Sequence, residues 1–142
     1  MAKIKGVKGV LATLKKLEGD AQEASKAGAT VGYTQSYALF VHEGVDMNFN
    51  NGKQAKYLET PARNLKKELA RIITAGYAKS KDLNKSLFVA GLRLQRESMK
   101  IVPIDTGALR ASAFTALIDE EDKVAKESFQ KSEAIRKASQ NQ

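Results

Sequence analysis

The sequence contains no cysteine and no tryptophan, a single histidine and two prolines. Without cysteine there is no disulfide framework, no thiol nucleophile and no Cys-ligated zinc, which fits folding in a reducing cytosol. With His42 as the one histidine, a zinc site would need several carboxylates to complete it. A partly buried His42 held beside Glu43 is the simpler reading of that residue. Aromatic residues make up 6% of the chain, so its core must be mostly Leu, Val, Ile and Ala. No apolar run approaches the roughly 20 residues of a membrane span. The opening Met1-Ala2-Lys3-Ile4-Lys5-Gly6 lacks the apolar stretch of a secretory signal. These absences describe a soluble intracellular product with no membrane partner, no metal and no cofactor.

What is present is enough for one domain. A chain of 142 residues typically buries about 65–70% of its unfolded surface, and 42% hydrophobic with 28% charged residues is an ordinary globular balance. The net charge of +8 is unevenly spread: residues 59–104 carry ten Lys and Arg against four acids, residues 105–142 six against seven. The plain reading is solvated helix faces. The sharper one is an electrostatic partner, nucleic acid or an acidic protein surface.

Apolar spacing organises the chain. Val7, Val10, Leu11, Leu14 and Leu17 recur at helical period. A second helical piece follows from the capping box Asp20-Ala21-Gln22-Glu23 to Gly28. Residues 29–33 read as a short strand, 34–36 as a turn. The apolar run 37–42 is too short for periodicity to separate strand from helix. Residues 44–58, with Asn50-Asn51-Gly52, read as an exposed loop. Thr60 as N-cap and Pro61 at the first helical position start a helix with Ala62, Leu65, Leu69, Ile72, Ile73 and Gly76 on one face. Asp82 caps the next helix, and Pro103 fixes its end; the two make a helical hairpin. Asp105-Thr106-Gly107 is a tight turn in which Asp105 accepts backbone hydrogen bonds and Gly107 takes positive φ. Residues 111–118 read as a buried strand. Residues 123–138 form a polar helix whose sizeable anchors are Val124, Phe129 and Ile135, and the last four residues a disordered end. The fold class is therefore α+β: a small sheet against a long helical hairpin, with an amphipathic N-terminal helix. Residues 1–118 form one structural domain and 119–142 a polar C-terminal helix and tail.

Little of this resembles catalytic chemistry. No Gly-rich phosphate loop of Walker spacing is present, and no aromatics interleave with the bases as in nucleic-acid readers. Asp105-Thr106-Gly107 matches the active-site turn of retroviral-type aspartic proteases, where two such turns share a proton. That fold is nearly all β, whereas here a long helix leads into the turn. A non-enzymatic protein is the favoured reading.

Four segments carry a resemblance. Val102-Pro103-Ile104-Asp105-Thr106-Gly107-Ala108-Leu109-Arg110-Ala111-Ser112 follows a helix and precedes a strand. Val31-Gly32-Tyr33 is followed by Tyr37-Ala38-Leu39-Phe40-Val41-His42-Glu43-Gly44. Ala55-Lys56-Tyr57-Leu58-Glu59-Thr60-Pro61-Ala62 opens a helix, and Ile4-Lys5-Gly6 precedes the Leu-rich one. Together they resemble the neck, head–tail connector and tail-completion proteins of tailed bacteriophages, including the putative minor tail components. In the best-known branch the Pro-x-Asp-Thr-Gly segment precedes the other two; here it follows them. The resemblance implies a structural virion protein, made in the host cytoplasm. It would form a sixfold or twelvefold homo-oligomeric ring at the neck or tail completion point, against other neck, adaptor or tail proteins and near packaged DNA. It further implies that Asp105, Thr106 and Gly107 set the exit of the following strand, that Leu109 packs, and that Arg110 reaches an acidic group on the same or an adjacent protomer. Tyr37, His42, Glu43 and Pro61 are its other structural positions. Loop 44–58 and helix 123–138 are expected at contacts between subunits or rings, and the bases on 62–81 on the outside or at an interface. The alternatives are a basic accessory protein that binds DNA non-specifically and, remotely, the aspartic protease.

Overall fold

The computed structural model describes residues 27–49 and 52–140; the helical pieces expected before Gly28 lie outside the described residues. Strands β1 (Ala29–Tyr33) and β2 (Ala113–Leu117) pair antiparallel, from Ala29 opposite Leu117 to Tyr33 opposite Ala113. Between them run α1 (Ala38–His42), α2 (Glu59–Asn64), α3 (Lys66–Ser80), α4 (Leu83–Ile101) and α5 (Ala108–Ala111). A 3-10 turn (Ile118–Glu120) then leads into α6 (Glu121–Gln140). Helices α3 and α4 form the hairpin, α4 lies on the sheet, and α6 packs on β2 and α5. The architecture is the expected α+β one, a small sheet against a long helical hairpin.

Several boundaries follow from local chemistry. Asp82 caps α4, accepting from the Lys85 amide at 3.1 Å, which satisfies one of the donors a helix start leaves open. The helix stops at Ile101. Val102 turns extended (ψ 135°), as the residue before Pro103 must to avoid its ring. The apolar run 37–42 resolves into the short helix α1.

Other boundaries differ from expectation. Thr60 is not the N-cap: α2 begins at Glu59 after Leu58, with no side-chain cap. Pro61 is its third residue, a place that still needs no amide donor, and Glu59 sets a carboxylate at the positive helix end. The helix does not run on to the hairpin turn either. Leu65 leaves helical geometry (φ −95°, ψ 6°) before α3 restarts at Lys66. The strand expected over 111–118 is shorter, because Ala108–Ala111 coil into α5 first.

The sheet is covered on both faces. Val31 and Thr115, paired in register, face α4. A Cβ on Gly91 would stand 2.6 Å from Thr115 Cγ2 and 3.3 Å from Val31 Cγ2, so the glycine permits the close approach. The buried residues of α4 are all small: Ser86, Ala90, Gly91 and Ser98. By strand alternation, Thr30, Gly32, Phe114 and Ala116 point to the opposite face, where Thr30 Oγ1 donates to Glu121 of α6 at 3.2 Å.

Helix α6 is fixed mainly by hydroxyl groups rather than by the apolar anchors expected. Phe129 is 42% exposed, whereas Ser132 is fully buried. Ser132 Oγ donates to the Ala108 carbonyl and accepts from Gln35 Nε2 at 2.7 Å. One turn earlier, Ser128 Oγ donates to the Ser112 carbonyl at 2.8 Å. The helix continues to Gln140 through part of the end expected to be disordered. Ser132→Ala removes one bond from the buried Gln35 amide, which keeps Glu133 Oε1 at 3.1 Å. The expected loss is about 1–2 kcal/mol, read as a lower urea midpoint at unchanged slope.

Candidate functional site

Segments far apart in sequence meet at the end of the molecule where α4 finishes. Ala38, Tyr57, Val102 and Leu109 form one buried cluster, with Tyr33, Val41, Leu58 and Ile101 packed against it. Each of the three motif-bearing segments among the described residues contributes to it. Tyr57 is 1% exposed. Its ring meets Tyr33 edge-on at 4.9 Å and His42 at 5.0 Å, and its hydroxyl donates to the Ala38 carbonyl at 2.6 Å.

His42 sits where expected, beside Glu43, and is a structural bridge. Its Nδ1 lies 3.0 Å from Glu43 Oε1, and its Nε2 accepts from the Glu59 amide at 3.3 Å. It thereby ties α1 to the start of α2. Lys56 Nζ also reaches Glu43. That bond first, and the His42 bond second, hold the Glu43 carboxyl below the usual carboxylate range. Among the described residues no group of three or more metal-ligating side chains converges, and no helix is long and apolar enough to cross a membrane.

The Pro103–Ser112 segment departs from the expected turn in one respect. Gly107 has positive φ (87°), but the local acceptor is Thr106 Oγ1, bonded by the Ala108 amide at 3.2 Å, not Asp105. Among the described residues Asp105 forms no hydrogen bond and is exposed. The turn leads into a helical turn, so β2 starts six residues after Gly107. Leu109 packs as expected, 5% exposed. Ser112 is fully buried and its carbonyl accepts from the Thr34 amide at 3.3 Å. Arg110 is exposed and pairs with no acid among the described residues. Asp105→Asn is accordingly expected to change stability by less than about 0.5 kcal/mol, and Thr106→Ala by more. Paired thermal melts distinguish the two.

Burial gives this cluster a pH signature. Burial pushes the Tyr33 phenol up to about 12, against a smaller downward pull from its Ser98 hydrogen bond. Burial also raises Tyr57, with Tyr33 and Tyr37 adding to it. A folded-state pKa above the unfolded value of about 10 gives stability that is complete below pH 10 and lost as pH rises towards the folded pKa. The unfolding midpoint is therefore expected to fall between about pH 10 and 12, and Tyr33→Phe to lessen that fall.

Three surface features surround the cluster. A groove of about 450 Å³ lies between α1, the Asp105 turn and the end of α6, lined by Tyr37, Val41, Phe49, Ile104, Asp105 and Arg136 among others. Exposed apolar side chains crowd α1 and the following loop: Leu39 is 72%, Phe40 69% and Val45 64% exposed. Beside the C-terminal end of α4, Lys53, Arg96, Met99, Lys100 and Arg110 line a shallow concavity of about 440 Å³. The bases on α2 and α3 (Arg63, Lys66, Lys67, Arg71 and Lys79) are exposed.

Sequence reasoning missed the hydroxyl anchoring of α6 and the basic concavity. The first left a trace, since Val124, Ser128 and Ser132 recur at four-residue spacing on one helix face. The second left none, because its residues come from three separate segments. A scan against protein-family models and searches of curated proteins and of solved structures return no match.

Proposed function

We propose that this chain is a non-enzymatic structural protein of a tailed-phage virion, forming a ring at the neck or the tail completion point. The observation that carries the reading is the poverty of the core beside the wealth of apolar surface. Among the described residues α3, 15 residues long, has no fully buried side chain, and α6 has only Ser132. Meanwhile Leu39, Phe40, Val45 and Ile104 lie open. Exposed apolar side chains in that number support an interaction surface, as a protomer covered by neighbours would need. The resemblance of the Val102–Ser112, Val31–Gly44 and Ala55–Ala62 segments to neck and tail-completion proteins names the kind of assembly. In this reading, the exposed part of loop 44–58, ahead of the buried Tyr57, and the outer face of α6 lie at contacts between subunits or rings.

Negative-stain images of the concentrated protein test this directly: annular particles of one size, sixfold or twelvefold, are expected. Isolated small particles at every concentration count against it. A second reading is favoured by the net charge of +8 and the exposed bases of α2 and α3: non-specific DNA binding. Casual electrostatic contact fades steeply with salt, so retention of a DNA duplex at physiological salt would favour that alternative.

A further inference from the structure

The basic concavity has a counterpart on the same chain. Arg96 and Arg110 form no ion pair among the described residues. Lys53 Nζ donates to the Lys100 carbonyl at 2.6 Å, and Lys100 Nζ lies 2.7 Å from Glu97. At the other end of α4 the Gly28 amide reaches Asn84 Oδ1 at 3.4 Å, and the Ile118 amide donates to the Gly28 carbonyl at 3.2 Å. This places Ile118-Asp119-Glu120-Glu121-Asp122 beside the start of α4. Asp119, Glu120 and Asp122 are exposed there and form no ion pair among the described residues. From Asn84 to Lys100 the helix rises about 24 Å at 1.5 Å per residue. The two patches therefore cannot neutralise each other within one copy.

We propose that the concavity of one copy receives the Ile118–Asp122 segment of the next, head to tail. Complementarity extends beyond charge: Ile118, 51% exposed, precedes the carboxylates, and Met99 is the apolar residue lining the concavity. Arg guanidinium groups suit carboxylates because their donors form a planar fork. A phosphate backbone is the less suitable occupant, since among the described residues no aromatic lines the concavity to stack a base. Contact between two different patches generates a ring when the rotation closes. The inference rests on the reading of the chain as a self-assembling protomer and specifies which surfaces meet.

The test compares assembly mass by light scattering for the full chain, R96E/R110E, D119K/E120K, their equimolar mixture, and the fourfold variant. Wild type is expected to assemble, and each double reversal to weaken association at least tenfold. The mixture and the fourfold variant, in which opposite charges face each other again, are expected to recover the wild-type mass. If the double reversals assemble as wild type does, the ring uses other surfaces and this inference falls while the assembly reading stands. Weakening without recovery in the mixture overturns it too, because the two patches then do not meet. If R96E/R110E instead keeps its mass but loses binding to a short DNA duplex at physiological salt, the concavity is a phosphate site. A wild-type chain that stays monomeric throughout removes both readings together.

Discussion

Tyr57→Ala is expected to cost about 3–5 kcal/mol, the range for removing a large buried aromatic side chain. Few other described side chains are both large and fully buried. Tyr57 holds three segments together: its ring lies edge-on to Tyr33 of β1 and His42 of α1, and its hydroxyl bonds the Ala38 carbonyl. Alanine leaves a cavity that Val102 and Leu109, fixed by the Pro103–Ser112 turn, cannot readily fill. Tyr57→Phe keeps the packing and removes one hydrogen bond, for about 1 kcal/mol. Urea unfolding of the two variants separates packing from polar contribution. A loss below about 1.5 kcal/mol for the alanine variant, outside the buried-aromatic range, would show that the cluster is not the organising core.

Gly91→Val is the second large effect. Glycine inside a helix normally costs about 1 kcal/mol relative to alanine, so replacement at an open position stabilises. At Gly91 the sign reverses. A Cβ would stand 2.6 Å from Thr115 Cγ2, and Thr115 is held in place by its bond to Gln95 Oε1 at 2.6 Å. Either α4 lifts from the sheet or Thr115 abandons Gln95. Gly91→Ala is expected to destabilise slightly, and Gly91→Val by about 2–3 kcal/mol through overpacking. Thermal melts of the two substitutions check both sign and order; stabilisation by valine would mean that α4 does not rest on the sheet there.

Signals that act within a few residues were legible before the structure. β1, the Asp82 cap, the stop at Pro103 and the positive φ of Gly107 each arise from a local constraint. What escaped depends on neighbours distant in sequence. The break at Leu65 and the coil of Ala108–Ala111 carry no breaker residue. The fixing of α6 by Ser128 and Ser132 depends on carbonyls of Ser112 and Ala108, and a pattern search ranks Phe129 above either serine. The candidate site divides the same way. Its motif-bearing segments were readable one at a time, whereas their convergence on Tyr57 was not. Asp105 drew attention because Asp-Thr-Gly also occurs in proteases, yet Thr106 supplies the turn's acceptor and Leu109 its buried weight.

The fold bears on the proposed function through what it leaves uncovered. Its small-residue contacts, Gly91 on the sheet and Ser132 under α5, give close packing with little apolar burial. The larger apolar side chains on α1 and its loop face outward. If the chain assembles as proposed, contact with neighbours adds to its stability, and the unfolding midpoint is expected to rise with concentration.

The most direct measurement is the absolute mass of the purified chain by light scattering across a wide concentration range at physiological salt. The account predicts one discrete closed species at a fixed multiple of 15.5 kDa, sixfold or twelvefold. A species of 15.5 kDa at every concentration, with an unfolding midpoint independent of concentration, would contradict it.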